Sequence, residues 1–145
     1  MRTLSVSSRV LMSASHAYSR LSDFSLFEQY CPSVLSIQLE GIKENEMLSS
    51  WRVKFNDGEM CWQERDQFDP DAFSIRFEQT EGDAEAFYGA WFVKPLSDEE
   101  SEVHFSANFC LGIPSLADIL EPIAEEALRD NVSEMIHQVF YTTPA

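Results

Sequence analysis

The segment that contains Trp62, Glu64 and Asp66 carries the residues best suited to proton-transfer chemistry. Side chains alternate along a strand, so these three share one face while Arg65 lies on the other. A carboxyl group held beside an indole, away from water, has a raised pKa, which acid or base catalysis near neutral pH requires. We therefore predict that Glu64 is catalytic. The alternative is that Glu64 lies at a rim or pairs with Arg76 on the next strand.

Tyr30 is the second candidate catalytic residue. Its phenol can donate a proton to a ligand carbonyl, or it can fill the gap between a helix and the sheet with its hydroxyl in water. The three histidines, His16, His104 and His137, have no acidic or cysteine partner at the spacing of metal ligands. We predict no metal site, and nothing in the sequence implies a cofactor.

Asn131 interrupts an apolar stripe on the predicted C-terminal helix. The stripe repeats near the helical period and comprises Leu116, Leu120, Ile123, Ala127, Asn131, Met135 and Val139. A buried amide without a partner costs roughly 1 to 3 kcal/mol, so the helix either meets a protein partner or covers a partly polar cavity. We predict the cavity, with Asn131 facing Trp62 and Glu64.

Aromatic side chains would form the walls of that cavity. The chain has 11 phenylalanines and 3 tryptophans, and many alternate along predicted strands. Gly89 lies within one such strand, where it either leaves space or permits a sharp bend at which a ring or ligand can approach. A packed aromatic core is the alternative. The predicted ligand-binding residues are Trp51, Trp62, Trp91, Phe105, Asn131 and Met135.

The charge balance limits the partners. Asp and Glu number 25 against 10 Lys and Arg, a net charge of −15. Without clustered cations, binding of nucleic acid and of anionic membranes is disfavoured. Docking of another acidic protein would need a local basic patch, for which the candidates are Lys43, Arg52 and Lys54. A free small molecule is the easier partner, and the chain itself is expected to be a monomer or homodimer.

The sequence also bears on the compartment. Three dispersed cysteines form no disulfide framework, and we find no signal peptide or apolar run of transmembrane length. A cytoplasmic location is therefore expected.

The pattern of elements predicts an α+β fold in one domain over residues 1–145. One strand and two short helices precede six strands of an antiparallel meander, and a long helix follows, with Pro122 either in its first turn or at a kink. Turns are expected at Gly41 and four later sites. Because one helix covers only one sheet face, the sheet should curve around it and leave a cavity. The predicted strands are Leu4–Met12, Val34–Glu40, Leu48–Asn56, Glu59–Phe68, Ala72–Thr80, Ala86–Lys94 and Ser101–Cys110.

This order of elements resembles the helix-grip superfamily of steroidogenic lipid-transfer domains, birch-pollen-allergen-like proteins and bacterial aromatase/cyclases. The similarity extends to local strings: DFSLFEQYCPSVLSIQLE at the second short helix, WQERDQFD and IRFEQTEGDAEAFYGAWFVKP in the strands, and NFCLGIPSLADILEPIAEEALRDNV at the last helix. The last string resembles the polyketide cyclase and coenzyme Q binding branch. The resemblance implies a helix-grip fold with a seven-stranded curved sheet.

The resemblance also implies functions. It places Tyr30, Trp62, Trp91 and Asn131 among pocket residues, but Asp66 stands where the similar aromatase/cyclases have an arginine proposed to steer or protonate a poly-β-ketone. The leading hypothesis is a polyketide cyclase-like protein that promotes cyclisation or dehydration of a hydrophobic, oxygenated molecule. The resemblance also makes an acyl carrier protein a candidate partner, but such proteins are typically acidic and the net charge of −15 disfavours docking. The alternatives are a noncatalytic carrier of a lipid, isoprenoid or quinone, and an interaction module with a filled interior.

Overall fold

A computed structural model describes residues 2–55, 58–111 and 117–141, with side chains for all of them except 117–119 and 141. The first strand precedes two short helices, six strands follow, and a long helix comes last. A short 3-10 turn, Pro70–Ala72, separates the fourth and fifth strands. The elements are β1 Arg2–Val10, α1 Ala14–Ser22, α2 Ser25–Tyr30, β2 Val34–Lys43, β3 Glu46–Phe55, β4 Gly58–Asp69, β5 Ser74–Gly82, β6 Ala86–Pro95, β7 Ser101–Cys110 and α3 Ala117–Tyr141.

The strands form one antiparallel sheet in the order β1-β7-β6-β5-β4-β3-β2. Strands β2 to β7 are a meander, and β1 joins it beside β7, so both the α+β helix-grip prediction and the meander are confirmed. In the pairing of β3 with β4, Trp51 lies opposite Trp62 and Ser49 lies opposite Glu64. A register shift in β4 between Gln63 and Glu64 interrupts the pairing with β5. The site residues therefore lie beside an irregularity in the sheet.

The predicted strands all form, with ends that differ by a few residues. The clearest error is the first hairpin, because the expected turn at Gly41 lies within β2. The chain turns at Asn45 instead, which has φ 60. Asparagine tolerates this left-handed conformation better than most residues, so the turn does not need the glycine. Of the turn predicted at residues 56–58, residues 56 and 57 lie outside the described residues.

The two short helices have local sequence causes. The side chain of Ser13 accepts a hydrogen bond from the backbone of His16 and so caps α1. Its inward residues include Ala17 and Leu21, both fully buried. Asp23 separates the helices and accepts hydrogen bonds from the backbone and hydroxyl of Ser25 at the start of α2. The helices pack their apolar faces against the sheet and α3.

The buried face of α3 differs from the predicted stripe. Ile123 is 51% exposed, and Ala127 is only partly buried. Leu116 lies outside the described residues. Met135 and Val139 of the stripe are buried as predicted, but at its start Ile123 and its neighbour Ala124 are both apolar, and packing against β1 and the sheet buries Ala124. The observed buried face consists of Glu121, Ala124, Leu128, Val132, Met135, Ile136, Val139 and Phe140. Pro122 lies inside the helix, which continues through it.

Two glycines permit close packing in the sheet. A Cβ atom at Gly89 would lie 2.0 Å from the carbonyl oxygen of Ser106, so strand β7, and not a ring or ligand, occupies the space that we assigned to a ligand. A Cβ atom at Gly82 would lie 2.5 Å from the Cβ atom of Trp62, and Gly82 has φ 155, which L side chains rarely adopt. Gly82 therefore lets the backbone pass directly over Trp62.

Candidate functional site

Two acidic side chains from β4 point into the protein. Glu64 is 5% exposed and Asp66 is fully buried. Oε1 of Glu64 accepts a hydrogen bond from Nε1 of Trp62 at 2.6 Å, and Oδ2 of Asp66 accepts one from the hydroxyl of Ser49 at 2.5 Å. Oδ1 of Asp66 is buried, and no N–H or hydroxyl group among the described residues donates to it. Burying two carboxyl groups side by side favours a state in which one of them is protonated.

The indoles of Trp51 and Trp62 stack above these carboxyls. Their ring centroids are 5.7 Å apart and their planes differ by 3°. Their cross-strand pairing places both rings on the inward face. Nε1 of Trp51 donates to the hydroxyl of Ser49 at 2.8 Å, while Trp62 donates to Glu64. Trp62 thus directs its polar edge to Glu64, and Trp51 directs its own to the serine that donates to Asp66.

The environment raises the pKa of both acids. Burial is the largest cause for Glu64, whose pKa lies well above its ordinary value of 4.5, and Asp66 beside it raises the pKa further. The hydrogen bond from Trp62 acts in the opposite direction. Burial also raises the pKa of Asp66, against the hydrogen bonds that it receives from Glu64 and Ser49. Of the two acids, Glu64 therefore holds its proton to the higher pH.

Glu64 faces a small aromatic cavity beneath α3. Its volume is about 40 Å³. Ligand sites usually measure about 300 Å³ or more, so this interior is nearly filled. The ten lining residues are Trp51, Trp62, Glu64, Phe77, Phe87, Trp91, Phe105, Leu128, Val132 and Met135. Five of the six residues predicted to bind a ligand belong to this set, as does the predicted acid Glu64.

Asn131 and Tyr30 lie elsewhere. The side-chain amide of Asn131 donates to the backbone carbonyl of Lys54 at 2.9 Å, at the end of β3. The expected position of Asn131 opposite Trp62 and Glu64 is wrong, because the buried face of α3 is rotated away from it. Tyr30 ends α2, is partly exposed and does not line the cavity. Its chemical role stays a prediction.

The alternative ion pair for Glu64 does not form. Glu64 accepts its hydrogen bond from an indole and not from Arg76. Arg65 lies on the outward face of β4, where its Nε atom is 3.3 Å from Oε1 of Glu46. Within the described ranges, no group of three or more His, Cys, Asp or Glu side chains could hold a metal ion. In those same ranges, no helix is both long and apolar enough to cross a membrane.

Sequence reasoning missed Ser49 and the role of Asp66. Alternation placed Asp66 inward, but we treated it mainly as a replacement for the arginine that the resemblance led us to expect. Ser49 carried a usable signal, because it lies two residues before Trp51 and therefore on the same strand face. Phe77, Phe87, Leu128 and Val132 were also absent from the predicted set.

Comparison with protein families decides the classification. The family described as polyketide cyclase / dehydrase and lipid transport matches residues 10–136, which include every described element except most of β1 and the end of α3. The chain belongs to this polyketide cyclase/dehydrase family. No functionally curated protein is significantly similar to the chain in sequence.

Solved structures agree with the family fold. TTHA0849 from Thermus thermophilus has a TM-score of 0.89 at 18% identity and covers 97% of this chain and 95% of its own. The Zhui aromatase/cyclase from Streptomyces sp. R1128 has a TM-score of 0.88 at 15% identity, covering 97% and 92%. A START superfamily protein from Mycobacterium smegmatis has a TM-score of 0.79 at 14% identity, covering 96% and 97%. At these identities the likeness establishes the helix-grip fold.

Proposed function

We propose that this member of the polyketide cyclase/dehydrase family binds a hydrophobic, oxygenated chain in its aromatic cavity and promotes its cyclisation or dehydration, with Glu64 as the proton donor. The observation that carries the proposal is a buried carboxyl, its pKa raised by burial, that faces a cavity otherwise walled by apolar side chains. In such surroundings a neutral acid can donate to a ligand carbonyl while bulk water is excluded. The family and the Zhui aromatase/cyclase fold support the reaction class.

The chemistry needs only one proton carrier. In an intramolecular aldol step, Glu64 donates its proton to a carbonyl oxygen of the ligand while the other oxygen of its carboxyl takes a proton from a methylene carbon. The electron pair of the broken carbon–hydrogen bond forms the new bond to the carbonyl carbon. A new carbon–carbon bond and a hydroxyl result, and subsequent loss of water leaves a carbon–carbon double bond. Aromatic walls contribute by holding the flexible chain in a folded, reactive conformation.

A ligand must displace part of the lining, because the cavity is only about 40 Å³. Trp62 is the lining residue that is only partly buried, whereas the other nine are buried. Its indole stacks on Trp51 and contacts Phe87 edge-on, with the centroids of Trp62 and Phe87 5.4 Å apart. Rotation of Trp62 outward would enlarge the cavity and release Oε1 of Glu64 at the same time. Binding and exposure of the acid are thus coupled in our proposal.

Delivery of the ligand as a free molecule fits the surface. Two of the three basic residues that could dock a carrier protein already form ion pairs. Nζ of Lys43 lies 3.3 Å from Oε2 of Glu46, and Nε of Arg52 lies 2.6 Å from Oε2 of Glu59. The net charge of −15 adds a repulsive field toward another acidic protein. We therefore propose no carrier-protein partner, and the cytoplasmic location and the oligomeric state stay predictions.

The proposal is tested by incubating the purified protein with a linear poly-β-ketone thioester and analysing the products by mass spectrometry. Cyclised product that has lost water, formed in excess over the protein, supports catalysis. A variant with Glu81→Gln, which alters an exposed residue of β5, serves as the acid-to-amide control. Recovery of unchanged ketone, or product formed at the rate without protein, contradicts the proposal.

A noncatalytic carrier is the second candidate, favoured by the lining, in which nine of ten side chains are apolar or aromatic. Recovery of an unchanged lipid or quinone in a one-to-one complex supports it. The small cavity volume is also what the interaction-module hypothesis expects. Nile red separates that hypothesis from the other two, because a permanently filled interior gives no saturable increase in dye fluorescence.

A further inference from the structure

We propose that Asp66, held by the hydroxyl of Ser49, is a positioning residue that keeps a proton on Glu64 and returns the proton there after each reaction step. The inference rests on the proposed role of Glu64 and assigns a function to two residues that touch neither the cavity nor a ligand. Neither Asp66 nor Ser49 lines the cavity.

The hydrogen bonds around Ser49 have a defined direction. A hydroxyl has one proton to donate, and Oγ of Ser49 already accepts from Nε1 of Trp51 at 2.8 Å. The hydroxyl proton is therefore free for Oδ2 of Asp66, 2.5 Å away. Such a donor stabilises the charged form of Asp66. Trp51 and Ser49 together favour Asp66 as the ionised member of the pair.

The unpartnered oxygen of Asp66 points to the same assignment. Oδ1 is buried, and no N–H or hydroxyl group in the described part of the chain donates to it. A buried acceptor without a donor is costly, and a proton on Glu64 supplies a donor to Asp66. If Glu64 lost that proton, two carboxylates would lie side by side with almost no solvent. Their repulsion would draw a proton back to Glu64.

No other titratable group competes for this role among the residues that the structure describes. The side chains that α3 presents to the cavity are Leu128, Val132 and Met135. Strands β5 to β7 present only aromatic rings to the cavity, and β3 presents Trp51. Asp66 is accordingly the charged neighbour that acts on Glu64. After Glu64 protonates a ligand oxygen, the nearby negative charge makes its carboxylate a stronger base toward the carbon-bound proton released in the same step.

The test is a site-resolved titration of the side-chain carboxyls by carbon-13 NMR, with the Glu64 signal assigned from Glu64→Gln. Asp66→Asn preserves shape and removes the charge, so the Glu64 ionisation midpoint should move to lower pH. In a turnover assay with the poly-β-ketone thioester, loss of activity with rising pH should move in the same direction. An unchanged Glu64 midpoint in folded Asp66→Asn overturns the inference.

Ser49→Ala provides an independent test that does not alter either acid. It should raise the ionisation midpoint of Asp66, whereas Ser50→Ala, on the outward face of the same strand, should leave it unchanged. An Asp66 midpoint that Ser49→Ala does not move contradicts the role of Ser49. Because NMR needs no substrate, failure here is distinct from failure of the proposed function, which would appear as Glu64→Gln protein with full turnover.

Discussion

Trp62 donates a 2.6 Å hydrogen bond from its indole Nε1 to Oε1 of Glu64, two residues farther along the same strand face. This contact links the partly exposed wall of the cavity to the acidic group in its lining. Movement of the indole would change both the space beside Glu64 and the hydrogen bonding of its carboxyl. The site can thus be probed from either residue.

Replacing Trp62 by Phe should move the ionisation midpoint of Glu64 to higher pH. The indole hydrogen bond stabilises the charged carboxylate and so lowers the pKa of Glu64. Without that bond, burial and the neighbouring Asp66 raise the pKa further. NMR titration of the Glu64 carboxyl measures the shift. Phe92→Leu, on the outward face of β6, is the control and should cause no shift; a downward shift for Trp62→Phe contradicts the assignment.

Folding stability should fall as pH rises above about 4.5, the ordinary pKa of a glutamate, toward the raised pKa of Glu64. In that window the folded state binds more protons than the unfolded state, so the free energy of unfolding decreases with pH. The slope reaches about 1.4 kcal/mol per pH unit for one proton. Urea unfolding at several pH values tests this. Glu64→Gln should reduce the dependence of the unfolding free energy on pH. An equal slope in the wild type and in Glu64→Gln would contradict the assignment of this effect to Glu64.

Gly82→Ala should destabilise the protein by about 1 to 3 kcal/mol and disturb Trp62, because the new methyl group meets the Cβ atom of that residue. Chemical denaturation measures the loss, and tryptophan fluorescence reports the disturbance. Gly41→Ala is the matched control, since a Cβ atom there has no neighbour within 4 Å. Equal stability of the two variants would show that Gly82 is not closely packed.

Asn131→Leu should cost about 1 kcal/mol of stability and leave binding of Nile red unchanged. The substitution removes the donor to the carbonyl of Lys54, which joins α3 to the end of β3. Ser133→Ala, on the exposed side of α3, is the control. A marked loss of dye affinity without loss of stability would return Asn131 to the cavity.

Period-two alternation predicted much of the fold and site. It placed Trp51, Trp62, Glu64 and Trp91 inward, as observed, because each strand has one buried face and a shift by one residue would expose every ring. The same pattern could not locate the first turn. The turn lies at Asn45, which adopts the left-handed conformation that the turn requires, whereas Gly41, where we expected the turn, lies within strand β2.

Helical phase and side-chain hydrogen bonds were less predictable. Ile123 and Ala124 are adjacent apolar residues, so only packing against the sheet decides which one is buried. The cluster of Ser49 and Asp66 depends on the cross-strand register, in which Ser49 lies opposite Glu64. A sequence gives each strand's alternation but not the register between two strands. Cavity volume is likewise a property of packed rings and not of composition.

The most direct test of the central claim is the turnover of Glu64→Gln on the poly-β-ketone thioester, measured beside Glu81→Gln. If Glu64 supplies the proton, kcat should fall by about 100-fold or more while KM changes little, because the amide retains the size of the side chain but cannot donate an acidic proton. Glu81→Gln should retain the wild-type rate. Full turnover by folded Glu64→Gln would contradict the account.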